Sequence, residues 1–153
     1  PSLNFDSIIK GISGVVDLCH SNAKCDYIDT SKRKIKYLHG GNNKDSHFHK
    51  NDIKQMCTDI LNHSYMRFAG VIFQPITGTP MGSGASCVRA DLCLSWYEYK
   101  WLCNNPMSNQ QLLVRYVDDI LSVNIEDTKR MCQEVNPPEL TLNDTSTSSL
   151  STN

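Results

Sequence analysis

Two adjacent carboxylates, Asp118 and Asp119, lie in the middle of LLVRYVDDILSVN, residues 112–124. Apolar runs flank them, Leu112-Leu113-Val114 before and Ile120-Leu121 after. A carboxylate pair at a tight strand-to-strand turn is held rigidly, and its hard oxygen atoms suit Mg²⁺. Aspartate is also an ordinary turn residue, because its side chain bonds to nearby backbone. The pair therefore reads in two ways: a polar turn that closes a β-hairpin, or half of a metal site whose other half lies elsewhere.

A second segment bears on that choice. QPITGTPMGSG, residues 74–84, precedes a helical pattern. Gly78, Pro80, Gly82 and Gly84 let backbone approach a base pair or sugar closely, and the N-terminus of the following helix favours anionic groups. Alone, such a loop is equally a strand-to-helix connection that needs special backbone angles. Loop and carboxylate pair in this order, separated by a helix bearing Trp96-Tyr97-Glu98-Tyr99, coincide by chance far less readily than either occurs alone.

Cys19, His20 and Cys25 with His47 and His49 form a group of metal-ligand type that would suit zinc. No Cys-x2-Cys pair is present to start a structural site, so these read as small packing or surface side chains. The seven cysteines are odd in number and irregularly spaced. That argues against a secreted disulfide framework and for an intracellular setting, nucleus or cytoplasm.

The positioning elements follow from periodicity. FDSIIKGISGVVDLCHS, residues 5–21, carries a helical apolar stripe weakened by Gly11 and Gly14. CDYIDTSKRKIKYL reads as a short hairpin with a basic tip at Thr30–Arg33, and HGGNNKDSH as loop. NDIKQMCTDILNHSY is an amphipathic helix near 52–64 with Asn51 as its N-cap. YMRFAGVIFQ gives two short strands around Ala69-Gly70. A helix near 85–102 places Val88, Leu92, Trp96 and Tyr99 on one face; the hairpin over Val114–Val123 follows, then a helix around Asp127–Glu134 that Pro137-Pro138 stops. Cys57, Leu92 and Cys93 lie on apolar stripes and are expected to be buried. The fold class is α+β: a small antiparallel sheet containing the hairpin, backed by the helices near 52–64 and 85–102.

A chain of 153 residues with 39% hydrophobic content fits one domain or a piece of a larger one. No stretch approaches the roughly 20 apolar residues of a membrane helix, and Pro1-Ser2-Leu3 does not open a signal peptide. The net charge of −1 is unevenly spread. Residues 24–54 hold eight Lys/Arg against four Asp, while residues 115–144 hold three Lys/Arg against seven acids. A basic segment beside an acidic one suits a phosphate-binding surface next to a metal site, and solvated faces explain each run as well.

FQPITGTPMGS, ADLCLSWYEYKWL, RYVDDILSVN and NPPELTLNDTS, in that order, resemble the reverse transcriptase palm domain, particularly that of the Penelope-like group of eukaryotic retroelements. The resemblance runs from about residue 47 to about residue 145 and is strongest at the loop and the hairpin. It implies a palm fragment over residues 1–142, beginning after the motif that carries the first catalytic Asp, with a low-complexity tail or cut connection at 143–153. Asp118 matches the family's metal-binding aspartate, and Asp119 its supporting neighbour. Tyr116 and Val117 match positions against the primer end. Gln74, Gly78, Pro80, Met81, Gly82 and Ser83 match the loop that touches the templating base pair and incoming nucleotide.

The implied activity is RNA-directed DNA polymerisation by two Mg²⁺ ions, with Mn²⁺ as the substitute. The implied partners are an RNA template, a DNA primer and deoxynucleoside triphosphates, with no membrane. The second aspartate that this chemistry needs has no match in the chain. Gly84, Cys87 and Arg89 depart from the proline and apolar residues commoner in the family. The alternative implied by those departures is an inactive retroelement remnant or nucleic-acid-binding relic.

Overall fold

The computed structural model describes residues 2–41, 44–78, 84–117 and 119–143. Its elements in chain order are α1 (Phe5–Ala23), β1 (Tyr27–Asp29), β2 (Lys36–Leu38), β3 (His47–His49), α2 (Lys50–Asn62), β4 (Met66–Phe68), β5 (Val71–Phe73), α3 (Ser86–Asn104), β6 (Leu112–Tyr116), β7 (Asp119–Val123) and α4 (Thr128–Glu134). The fold is α+β, and its strands form three small antiparallel sheets: β2-β1-β3, β4-β5 and β6-β7. The hairpin β6-β7 thus stands as a sheet of its own among the described strands, where the sequence led us to expect it within a larger one.

Helix α1 starts at Asn4, whose side chain accepts from the Ser7 amide at 2.7 Å, and stops at Lys24, which takes a left-handed φ of 53°. Such a cap satisfies one of the amides a helix start leaves unbonded. Glu139, from the segment after α4, reinforces this start: its carboxylate accepts from the Asn4 amide at 2.9 Å and the Ser7 hydroxyl at 3.1 Å. Burial pushes the Glu139 carboxyl up, but the Asn4 amide, its own amide and the Ser7 hydroxyl hold it below the usual value.

Ile8 and Ile12 of α1, Leu61 of α2 and Cys93 of α3 form one buried cluster. Gly11 lies where α1 meets α3: a Cβ there would sit 2.6 Å from the Cys93 Cα. The glycine that weakens the helical pattern is what lets the two backbones approach.

The close approach also turns α3. The sequence pattern points Val88, Leu92, Trp96 and Tyr99 inward, yet the buried residues are Ser86, Arg89, Cys93, Leu94 and Trp101, and Val88 is 55% exposed. The small thiol of Cys93 fits against Gly11 where a leucine would not. Of the three residues expected to be buried, Cys93 is fully so, while Cys57 and Leu92 are half-buried against the same cluster. Burial, then the charge of Glu139, pushes the Cys93 thiol up to about 12. It is a packing group, not a thiolate.

Helix α2 is capped by His49, not by Asn51. The His49 ring accepts from the Asn51 amide at 3.2 Å, and the Asp52 carboxylate accepts from the His49 amide at 3.0 Å. Strand β3 runs directly into the helix, so the residue that leaves the sheet becomes the cap.

A second cluster gathers Trp101 of α3 with Met131 and Val135, and the hairpin residues Leu113 and Ile120 pack against it. Helix α3 backs the hairpin as expected from the sequence. Helix α2 does not, since its buried Leu61 belongs to the first cluster, and α4 takes that place. Among the described residues no helix is long and apolar enough to cross a membrane.

Candidate active site

Strands β6 and β7 pair with Leu112 opposite Val123, Val114 opposite Leu121 and Tyr116 opposite Asp119. Alternation along each strand turns Leu113, Arg115, Ile120 and Ser122 toward the second cluster. Leu112, Val114, Tyr116, Asp119, Leu121 and Val123 are left on the exposed face. Tyr116 and Asp119 therefore stand side by side at the end of the hairpin. Val117 follows the last residue of β6, and Asp119 opens β7.

Val117 has φ 57° and is 65% exposed. Two-residue hairpin turns of the primed types need positive φ and are normally built from Asn, Asp or Gly. A β-branched residue in this region is strained by about 1–3 kcal/mol. The turn is held nevertheless, and the restraint comes two residues before Val117. Arg115 donates from Nε to the Glu98 carboxylate of α3, and from Nη2 to the Asn136 side-chain oxygen at 2.7 Å. Asn136 is buried, and the pair's side chains are only 12% and 21% exposed.

This network escaped the reading of the sequence. Its signal was Glu98, an acid within an apolar-aromatic helix, and Asn136 ahead of two prolines.

The Asp119 side chain makes no hydrogen bond or ion pair with another described residue, and the residue is exposed. Its donor chemistry fits Mg²⁺ or Mn²⁺, but one carboxylate is too few ligands for a site. Among the described residues no group of three or more His, Cys, Asp or Glu is placed to hold a metal ion. Asp118 lies outside the described residues.

Of the loop residues, Gln74 and Gly78 are described, and Pro80, Met81, Gly82 and Ser83 are not. Gln74 donates its side-chain amide to the Asn62 carbonyl at the end of α2, at 2.6 Å. Gly78 has φ 75° and donates its amide to the Leu3 carbonyl at 2.7 Å, so the loop is fastened ahead of α1. Glycine is needed there for its backbone angle, since a Cβ would meet nothing closer than Ser2 at 3.7 Å. No hydrogen bond among the described residues joins Gln74 or Gly78 to Tyr116, Val117 or Asp119. At the start of α3, Cys87 is exposed, while Arg89 is buried and donates to the Ser86 hydroxyl at 3.4 Å.

Compared with protein-family models, curated proteins and solved structures, the chain gives no significant match.

Proposed function

We propose that the chain is part of the palm of a retroelement RNA-directed DNA polymerase, with Asp118 and Asp119 at its reacting end. The observation that carries this is the hairpin tip. Asp119 stands beside Tyr116 at the end of the hairpin, its side chain exposed and unengaged by the described residues, and the partner strand β6 is anchored through Arg115. A rigid base with a free carboxylate at its end is what positioning chemistry requires.

In this reading the primer 3′-hydroxyl oxygen attacks the α-phosphorus of a deoxynucleoside triphosphate, and pyrophosphate leaves. Tyr116 and Val117 offer the exposed surface against which the primer end lies. Gln74, Gly78, Pro80, Met81, Gly82 and Ser83 border the templating base pair. Asp118 and Asp119 are the residues assigned to a divalent cation, Mg²⁺ or Mn²⁺, which when bound stabilises charge on the transferring phosphate. The reaction belongs to a longer protein that supplies the remaining carboxylate.

The burial of Arg89 at the start of α3, where the family carries apolar residues, favours a second reading as a catalytically inactive, nucleic-acid-binding relic. Primer extension on an RNA template with Mg²⁺, by a chain lengthened at both ends with its native flanking sequence, separates the two. Extension that Gly82→Val impairs with template binding kept supports the enzyme. Template binding without extension supports the relic.

A further inference from the structure

The sheet β2-β1-β3 gathers cations at one end. Asp29 pairs with Lys36 on one side and with His47 on the other, so residues 30–35 and 44–46 lie beyond the same edge. Two backbone bonds tie these segments down: the Thr30 amide to the Ser46 carbonyl at 2.9 Å, and the His47 amide to the Lys44 carbonyl at 3.0 Å. Lys32, Arg33, Lys34, Lys36 and Lys44 are all exposed there. None makes an ion pair with a described residue, whereas Lys50 and Lys54 farther along are paired to Asp26 and Asp17.

Two acids share this end, Asp29 and Asp45, leaving a net charge of +3 over the seven side chains. Asp29 does not neutralise its neighbours. Its carboxylate is turned to the Ser31 amide at 2.8 Å and lies 3.9 Å from the His47 ring. The Ser31 amide, then the Ser31 hydroxyl, hold it below the usual carboxylate range, so it remains ionised as a brace for the loop.

We propose that this end of the sheet is a docking surface for the phosphodiester backbone of a nucleic acid. Lys32, Arg33 and Lys34 are the principal contacts, with Lys36 and Lys44 beside them. A membrane surface is the poorer fit, because Ile35 is the one large apolar residue exposed between strands β1 and β2, and interfacial binding needs an apolar face as well as charge. The choice of nucleic acid over other polyanions rests on the polymerase reading. The charged surface does not.

The test is fluorescence anisotropy of this chain with a labelled single-stranded RNA and with an RNA–DNA hybrid, across a salt series. Each phosphate contact contributes about −0.7 to the log–log salt slope for a single strand. Lys32→Ala/Arg33→Ala/Lys34→Ala should make the slope on single-stranded RNA shallower by about 2 and weaken binding at low salt about tenfold or more. Lys10→Ala/Lys100→Ala/Lys129→Ala, an equal loss of charge elsewhere, should leave the slope unchanged, and Arg33→Lys should retain it.

An unchanged slope in Lys32→Ala/Arg33→Ala/Lys34→Ala, with the same far-UV spectrum as wild type, overturns the proposal. Tighter binding to anionic phosphatidylserine vesicles than to either nucleic acid overturns it too. Nucleotide transfer plays no part in this readout, so a failure of the catalytic reading does not imitate a failure of this one.

Discussion

Arg115 of β6 and Glu98 of α3 are ion-paired behind the hairpin tip, with Asn136 accepting from the same guanidinium at 2.7 Å. The residue immediately before Tyr116 is thereby fixed to a helix and to the buried segment after α4. A half-buried charge left alone costs more than the pair contributes, because water no longer fully solvates it. Arg115→Ala should therefore lower unfolding free energy by about 2–3 kcal/mol, and Glu98→Gln by less. Urea denaturation of the two single variants and the double variant reads this out, with a double-variant loss well short of the sum of the singles.

Val117 offers the opposite sign. Its φ of 57° belongs to residues such as Asn or Gly, so Val117→Asn should relieve strain and raise stability by about 1 kcal/mol. Thermal melting checks the gain. In the lengthened protein the same substitution should reduce primer extension, since the proposed reading places the Val117 side chain against the primer end.

Glu139 links stability to pH. Its carboxyl titrates below the ordinary value in the folded chain, held there by the Asn4 amide, its own amide and the Ser7 hydroxyl against the opposing effect of burial. A depressed folded value means that the stabilisation is fully present above the unfolded value. It is lost as pH falls through the folded one. Stability measured from pH 7 down to pH 3 should fall more steeply in wild type than in Glu139→Gln, and the two curves should converge at the acid end.

Much of the fold was legible because its signals are local. The apolar stripe of α1, the turn at Ala69-Gly70 and the two runs around Tyr116–Asp119 each declare an element within a few residues. What escaped depends on partners distant in sequence. The inward face of α3 is set by Gly11, which a helical pattern alone scores as a defect. The cap of α2 is a histidine, because a strand reading HFH leads into the helix where a loop was expected. The sequence also pointed to a strand-to-strand turn after Tyr116 and Val117, and the pairing of β6 with β7 agrees with it. It did not reveal that Arg115, one residue earlier, holds that turn in place.

Primer extension by Asp118→Ala is the most direct measurement of the central claim. Wild type and variant are compared in the lengthened protein, on an RNA template with Mg²⁺, at matched template occupancy. Removing a carboxylate that acts only on the developing charge of the transferring phosphate should lower extension by at least about 100-fold with template affinity unchanged, and Asp119→Ala should lower it less. Equal extension by wild type and Asp118→Ala would make the pair an ordinary hairpin turn and contradict the account.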